Sequence, residues 1–142
     1  MKIIDGHAHI GYIGGWADVG ITGEELIAQM DRFGIEKTVL CHEDNEVTLD
    51  MMGKYPGRIV GAVYVNPMNQ STVDAMEHYF ALGFKAVKLN PLRHAYCADS
   101  EALDPILDKA EAAGVPVCIH SGHPPYSLPW QIGLLAERHP GV

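Results

Sequence analysis

Positive charge is scarce in this chain: 10 Lys and Arg stand against 18 Asp and Glu, a formal net charge of −8 at pH 7. That deficit excludes the basic face with which a protein grips nucleic acid or an anionic membrane. Long apolar runs are missing as well, and none approaches the ~20 residues needed to cross a bilayer. The opening residues, Lys2-Ile3-Ile4-Asp5, pass straight into a polar motif and read as no secretory signal. Cysteine is sparse: Cys41, Cys97 and Cys118 are odd in number and lack CxxC spacing. They read as free thiols in a reducing compartment rather than a disulfide framework. A Gly-rich phosphate loop is absent after the first strand, because Gly11 to Gly15 lacks GxGxxG spacing. No Pro/Ser linker divides the 142 residues, about the length of one domain. The expectation is a cytoplasmic protein acting on a small molecule, with no nucleic-acid or membrane partner.

What is present is a regular alternation of short apolar runs and amphipathic segments. Strands are expected at Ile3-Ile4, 37–41, 59–65, 86–89 and 115–119. Thr22-Gly23-Glu24-Glu25 is a capping box opening a helix that closes at Gly34. Ser71-Thr72-Val73-Asp74 reads as a similar device for a helix closing at Gly83, and Ser100 or Asp99 caps one closing at Gly114. A further helix is expected over 46–54, and Pro129 sits in the first turn of a last one. Gly34-Ile35, Gly83-Phe84 and Gly114-Val115 each lead from a helix end into a strand, the punctuation of βα units with parallel strands. The lead-in Lys54-Tyr55-Pro56-Gly57 is echoed by Glu137-Arg138-His139-Pro140-Gly141. The fold class expected is therefore α/β: about five βα units forming the N-terminal part of a (β/α)8 barrel. The whole of 1–142 is expected to be one partial domain, truncated before its sixth strand.

In parallel α/β folds, chemistry collects at the carboxyl ends of strands. Those ends are polar here: His7 and His9, then His42-Glu43-Asp44, Asn66, Lys88 with Asn90, and His120 with Ser121 and His123. His7 and His9 are one residue apart on a strand, so their side chains share a face, with Asp5 in phase behind them. Two imidazoles so placed make half of a site for a Zn²⁺-like ion. His120, after an equally apolar strand, is the candidate third ligand, and three histidines suit a zinc with an open position. Lys88 should point inward, where an ammonium must be paired or neutralised. It could clamp a substrate carboxylate, be carbamylated between two metals, or form a structural ion pair. Asn66, Asn90 and His94 are the other candidate substrate-binding residues, with Arg93 and Tyr96 in the same loop as His94. Cys118 reads as a core residue, and His78 and His139, on helices, as surface residues.

The chain resembles the amidohydrolase superfamily, in particular the amidohydrolase-related group of metal-dependent hydrolases and decarboxylases. The resemblance is carried by Ile4-Asp5-Gly6-His7-Ala8-His9, by Gly83-Phe84-Lys85-Ala86-Val87-Lys88-Leu89-Asn90-Pro91, and by Val115-Pro116-Val117-Cys118-Ile119-His120-Ser121-Gly122. It implies a (β/α)8 barrel holding a divalent metal, usually Zn²⁺, on His7, His9 and His120. The family also uses a histidine after the sixth strand and a metal-binding aspartate after the eighth, neither of which has a counterpart here.

Three readings follow. The first is a metal-dependent hydrolase that attacks a small carboxylated or cyclic substrate with metal-activated water. The second is a decarboxylase or other lyase of the same group. The third is non-catalytic: a half-barrel that binds metal, or that self-associates as a homo-oligomer because its open sheet edges invite pairing.

Overall fold

The computed structural model describes residues 2–14 and 18–142; Met1 and Gly15, named above, lie outside the described residues. The chain divides into two units, Met1–Ala62 and Val63–Val142.

The first unit begins with β1 (Ile3–Ala8), followed by β2 (Gly11–Ile13) and β3 (Val19–Ile21), which pair antiparallel. This small ribbon was not expected, since three-residue strands with a glycine in each carry no readable alternation. Next come α1 (Gly23–Phe33), β4 (Ile35–Leu40), α2 (Asn45–Lys54) and β5 (Ile59–Val65), the last strand crossing into the second unit. β1 and β5 each pair parallel with β4. The capping box forms as expected: Thr22 accepts from the Glu25 N–H at 3.2 Å, and Glu25 accepts from the Thr22 N–H at 2.8 Å. Gly34 closes α1 in the left-handed conformation at φ 69°, which a glycine adopts without steric penalty. Leu26 and Met30 of α1 then meet Ala8, Leu40, Met51 and Ile59 in one apolar cluster. That burial holds the helices on the strands.

The second unit holds α3 (Gln70–Asp74), α4 (Met76–Ala81), β6 (Ala86–Leu89), α5 (Pro91–His94), a 3₁₀ turn (Glu101–Leu103), α6 (Asp104–Ala113), β7 (Val117–Ile119) and α7 (Pro129–Arg138). β6 and β7 pair parallel, Lys88 opposite Cys118. The cap expected at Ser71 belongs instead to Asn69, whose carboxamide accepts from the Ser71 N–H at 3.2 Å. The helix also breaks at Ala75, whose N–H bonds back to Ser71. Ser100 caps the 3₁₀ turn, and α6 starts afterwards with a proline in its first turn. β7 is shorter than expected because it begins after Pro116, which has no N–H to give the ladder.

His139 is not the surface residue its position on a helix end suggested. It is only 8% exposed, with Nε2 2.9 Å from Asp104 and Nδ1 3.5 Å from Asp108. Asp104 and Asp108 lie one turn apart on α6 and present both carboxylates to it. Arg138 adds a contact to Asp104 at 2.9 Å. Hydrogen bonds from His139 and then Arg138 hold the Asp104 carboxyl below its ordinary value. The fold therefore favours the ionised form. This contribution is complete above the ordinary carboxylate pKa of ~3.9 and disappears as pH falls through the lowered folded value. Asp104→Asn is expected to lower the melting temperature at neutral pH and to flatten its decline below about pH 4, measured by thermal melts across pH.

Candidate metal centre

The end of β1 does not continue the plain alternation from Asp5 to His9. Asp5 pairs with Thr38 and Ala8 with Leu40, so three steps on β1 oppose two on β4 and the strand bulges. Asp5 serves that bulge directly, its carboxylate accepting from the His7 N–H at 3.0 Å. Even so, His7 and His9 come together, their rings edge-to-face with centroids 4.6 Å apart. The Cys41 peptide, just past β4, holds this corner from both sides. Its N–H donates to the Ala8 carbonyl at 3.0 Å, and its carbonyl lies 2.6 Å from Nδ1 of His9. A carbonyl can only accept, so Nδ1 of His9 carries the proton and Nε2 keeps its lone pair. The Cys41 carbonyl was not foreseen as an orienting group, because a backbone atom leaves no mark on residue type.

Beside this pair, within the first unit, is a cavity of about 430 Å³ lined by Ile10, Gly11, Tyr12, Ile21, His42 and Val47 among others. Gly11 has φ +91°, and a Cβ there would stand 3.5 Å from Nε2 of His42. Nδ1 of His42 lies 3.0 Å from the Asp44 amide nitrogen and 3.2 Å from the Asp44 carbonyl oxygen, so this turn holds the ring with Nε2 toward Gly11 at the cavity edge. The lining surface is mostly apolar, with polar groups from Tyr12, Thr22, Glu25 and His42, and apolar walls with a few placed polar groups are the usual make-up of a small-molecule site.

In the second unit, His120 follows β7, its N–H donating to the Leu89 carbonyl at 3.0 Å. Its ring stacks on His123, with centroids 4.9 Å apart and planes 10° from parallel. Lys88 is inward, as expected, and only 1% exposed. Among the described residues its ammonium meets no carboxylate and donates to the Cys118 sulfur at 3.9 Å. Asn66 and Asn90 commit their side-chain oxygens to the backbone: Asn66 accepts from the Met68 N–H at 3.0 Å and Asn90 from the Arg93 N–H at 3.2 Å. His94 packs between Tyr64 and Tyr96. Tyr64 was not singled out in the sequence, although it shares a strand face with Ala62 and with Asn66 just beyond β5. Among the described residues, no three His, Cys, Asp or Glu side chains are grouped to hold a metal ion.

The amidohydrolase family model Amidohydro_2 matches residues 4–142. The chain belongs to this amidohydrolase family. None of the curated proteins matches it significantly. Among solved structures, 5-carboxyvanillate decarboxylase from Novosphingobium aromaticivorans, complexed with manganese and a substituted nitrobenzoic acid, is 19% identical with a TM-score of 0.70, over 97% of this chain and 55% of that one. A probable 2-pyrone-4,6-dicarboxylic acid hydrolase from Acinetobacter baumannii is 21% identical with a TM-score of 0.67, over 85% and 50%. An uncharacterised TIM-barrel protein from Bordetella bronchiseptica is 18% identical with a TM-score of 0.73, over 100% and 65%. The chain thus spans about half to two-thirds of the length of these relatives. The likenesses show the fold: the amidohydrolase chain has the α/β architecture of the N-terminal part of a (β/α)8 barrel, as its strand–helix alternation implied.

The fit of a metal ion to the amidohydrolase residues rests on His7 and His9. Two adjacent imidazoles, one with its lone pair fixed on Nε2 by a carbonyl, are the donor type and outer-shell support that divalent first-row ions take. Lys88, by contrast, carries a cost. An ammonium buried against a thiol alone is poorly compensated. Lys88→Met is therefore expected to raise the urea unfolding midpoint, corresponding to about 1 kcal/mol or more of added stability. A lowered midpoint would show that the ammonium is well paired in the folded chain.

Proposed function

We propose that the chain carries the metal-binding and part of the substrate-binding side of a metal-dependent hydrolase, acting on a small carboxylated or cyclic molecule through metal-activated water. The observation that supports this most is the His7–His9 pair, with the Cys41 carbonyl on Nδ1 of His9, inside a family match over residues 4–142. His7, His9 and His120 are the residues that would hold a divalent ion, with Zn²⁺ the expected species and the manganese of the carboxyvanillate decarboxylase complex a precedent for another. A bound ion of this kind supplies Lewis acidity toward a carbonyl or carboxyl oxygen and toward water.

The chain's own residues account for the rest. The Cys41 carbonyl keeps the Nδ1 proton of His9 in place, so the ring neither turns nor changes tautomer when its other nitrogen is engaged. His42 presents Nε2 at the edge of the largely apolar cavity. Lys88 is the group assigned to a substrate carboxylate, which would give its buried ammonium the counter-charge that Cys118 does not. Asn66 and Asn90, their oxygens committed to caps, have amide N–H groups to donate. His94 lines the same end of β6.

The decarboxylase reading uses the same residues and is favoured by the structural likeness to 5-carboxyvanillate decarboxylase, which extends over 97% of this chain. The two differ in product: a hydrolase gives a ring-opened or cleaved acid, and a decarboxylase gives carbon dioxide.

Purified protein is expected to carry a divalent metal in stoichiometric amount by mass spectrometry. His7→Ala and His9→Ala should each weaken metal binding by more than about tenfold, the loss that even outer-shell changes cause. Metal retained in both variants would remove the site. Tight metal without turnover on lactone, amide and carboxylate panels would leave a metal-binding, non-catalytic module.

A further inference from the structure

The loop after β6 holds a strained, buried and polar arrangement that neither helix packing nor the metal reading uses. α5 ends at Ala95, a residue with a Cβ in the left-handed region at φ 54°, ψ 48°. Such backbone persists only where its surroundings impose it. Here it lays the ring of His94 along that of Tyr96, with centroids 6.4 Å apart and planes 19° from parallel, while Tyr64 meets His94 edge-on at 5.8 Å.

Polar atoms are left unmet in this stack. Tyr96 is only 6% exposed, and its hydroxyl has no hydrogen-bond partner among the described residues. The Asn90 backbone near this hydroxyl offsets only a part of what burial does to the phenol. Nδ1 of His94 is likewise buried and without a hydrogen-bond partner. Buried polar groups are almost always satisfied, and two exceptions on stacked rings ask for a partner that the chain does not supply. Burial, and then the nearby Arg93, hold His94 below its ordinary value. Burial likewise holds the Tyr96 phenol above its own. Both rings are therefore neutral near pH 7. They offer hydrogen bonds between aromatic walls but no charge.

We propose that His94 and Tyr96 are the specificity-determining pair at the carboxyl end of β6, taking a neutral oxygen, a hydroxyl or ring carbonyl, of a planar cyclic ligand. This rests on the substrate-side role given to that strand end under the proposed function. Two uncharged rings supply no counter-charge for a buried carboxylate, whereas a neutral oxygen can accept from the Tyr96 hydroxyl and complete both rings' hydrogen bonding at a lower cost of desolvation. The stack also suits a flat ligand, whose ring can meet aromatic faces and edges at low conformational cost.

The test uses the full chain with no metal added and two probes of one shape, phenol and toluene, followed by NMR shift titration. Wild-type protein should show phenol-specific shifts over residues 90–97. Tyr96→Phe should weaken phenol by about tenfold, the worth of one hydrogen bond, and leave toluene within about twofold. His94→Phe, which keeps a stacking ring, should act in the same direction. Both variants should melt no lower than wild type, because the groups they remove are unpaired in the free protein. The inference is overturned if wild type shows no phenol-specific shifts, if the phenol-to-toluene ratio is unchanged in both variants, or if both melt lower, which would mark an internal hydrogen bond. Because no metal is involved, a failed metal assay with an intact phenol preference sinks the metal reading alone, and the converse sinks this one alone.

Discussion

The Cys41 backbone ties the end of β1 to the end of β4 and at the same time aims an imidazole. Its N–H reaches the Ala8 carbonyl at 3.0 Å and its carbonyl meets Nδ1 of His9 at 2.6 Å, so the two peptide groups that flank one Cα set the strand spacing and the ring's tautomer. Behind it, Ala8 and Leu40 are buried against Leu26, Met30, Met51 and Ile59. The bulge at the end of β1, with Asp5 holding the His7 N–H, brings the two rings together. Packing on the helix side and chemistry at the strand end are thus separate uses of the same two strands, joined at a single residue.

The second unit treats polarity differently. Two of its ionisable side chains near β6 are buried: Lys88 is 1% exposed with a thiol beside it, and Tyr96 is enclosed with an unmet hydroxyl. Such groups are costly to a fold that needs only packing. The Asp104–His139–Arg138 contacts do the reverse, satisfying the polarity of buried His139 and holding α7 on α6.

Legibility followed the physics of each signal. β5 and β6 stood out in the sequence to the residue, because short β-prone runs that follow a glycine turn and end at Asn-Pro have few alternatives. Thr22 and Gly34 bounded α1 correctly, since a capping box and a left-handed glycine are local devices. The β2–β3 ribbon, the cap at Asn69 and the break at Ala75 were missed, because each is decided by competition among nearby polar groups rather than by pattern. His139 was misread for a related reason: its burial depends on Asp104 and Asp108, far away in sequence. At the site, residue types announced His7, His9 and Lys88. The groups that meet two of them, the Cys41 carbonyl at His9 and the Cys118 sulfur at Lys88, leave no mark on the sequence pattern.

We propose that His9 is held as the Nδ1–H tautomer with Nε2 open to a metal. Long-range ¹H–¹⁵N NMR of the histidine rings reads both halves of that claim in one experiment. Metal-free protein should show His9 protonated on Nδ1, and adding Zn²⁺ should shift Nε2 of His9 together with a ring nitrogen of His7. A His9 protonated on Nε2, or rings unmoved by saturating Zn²⁺, would contradict the account.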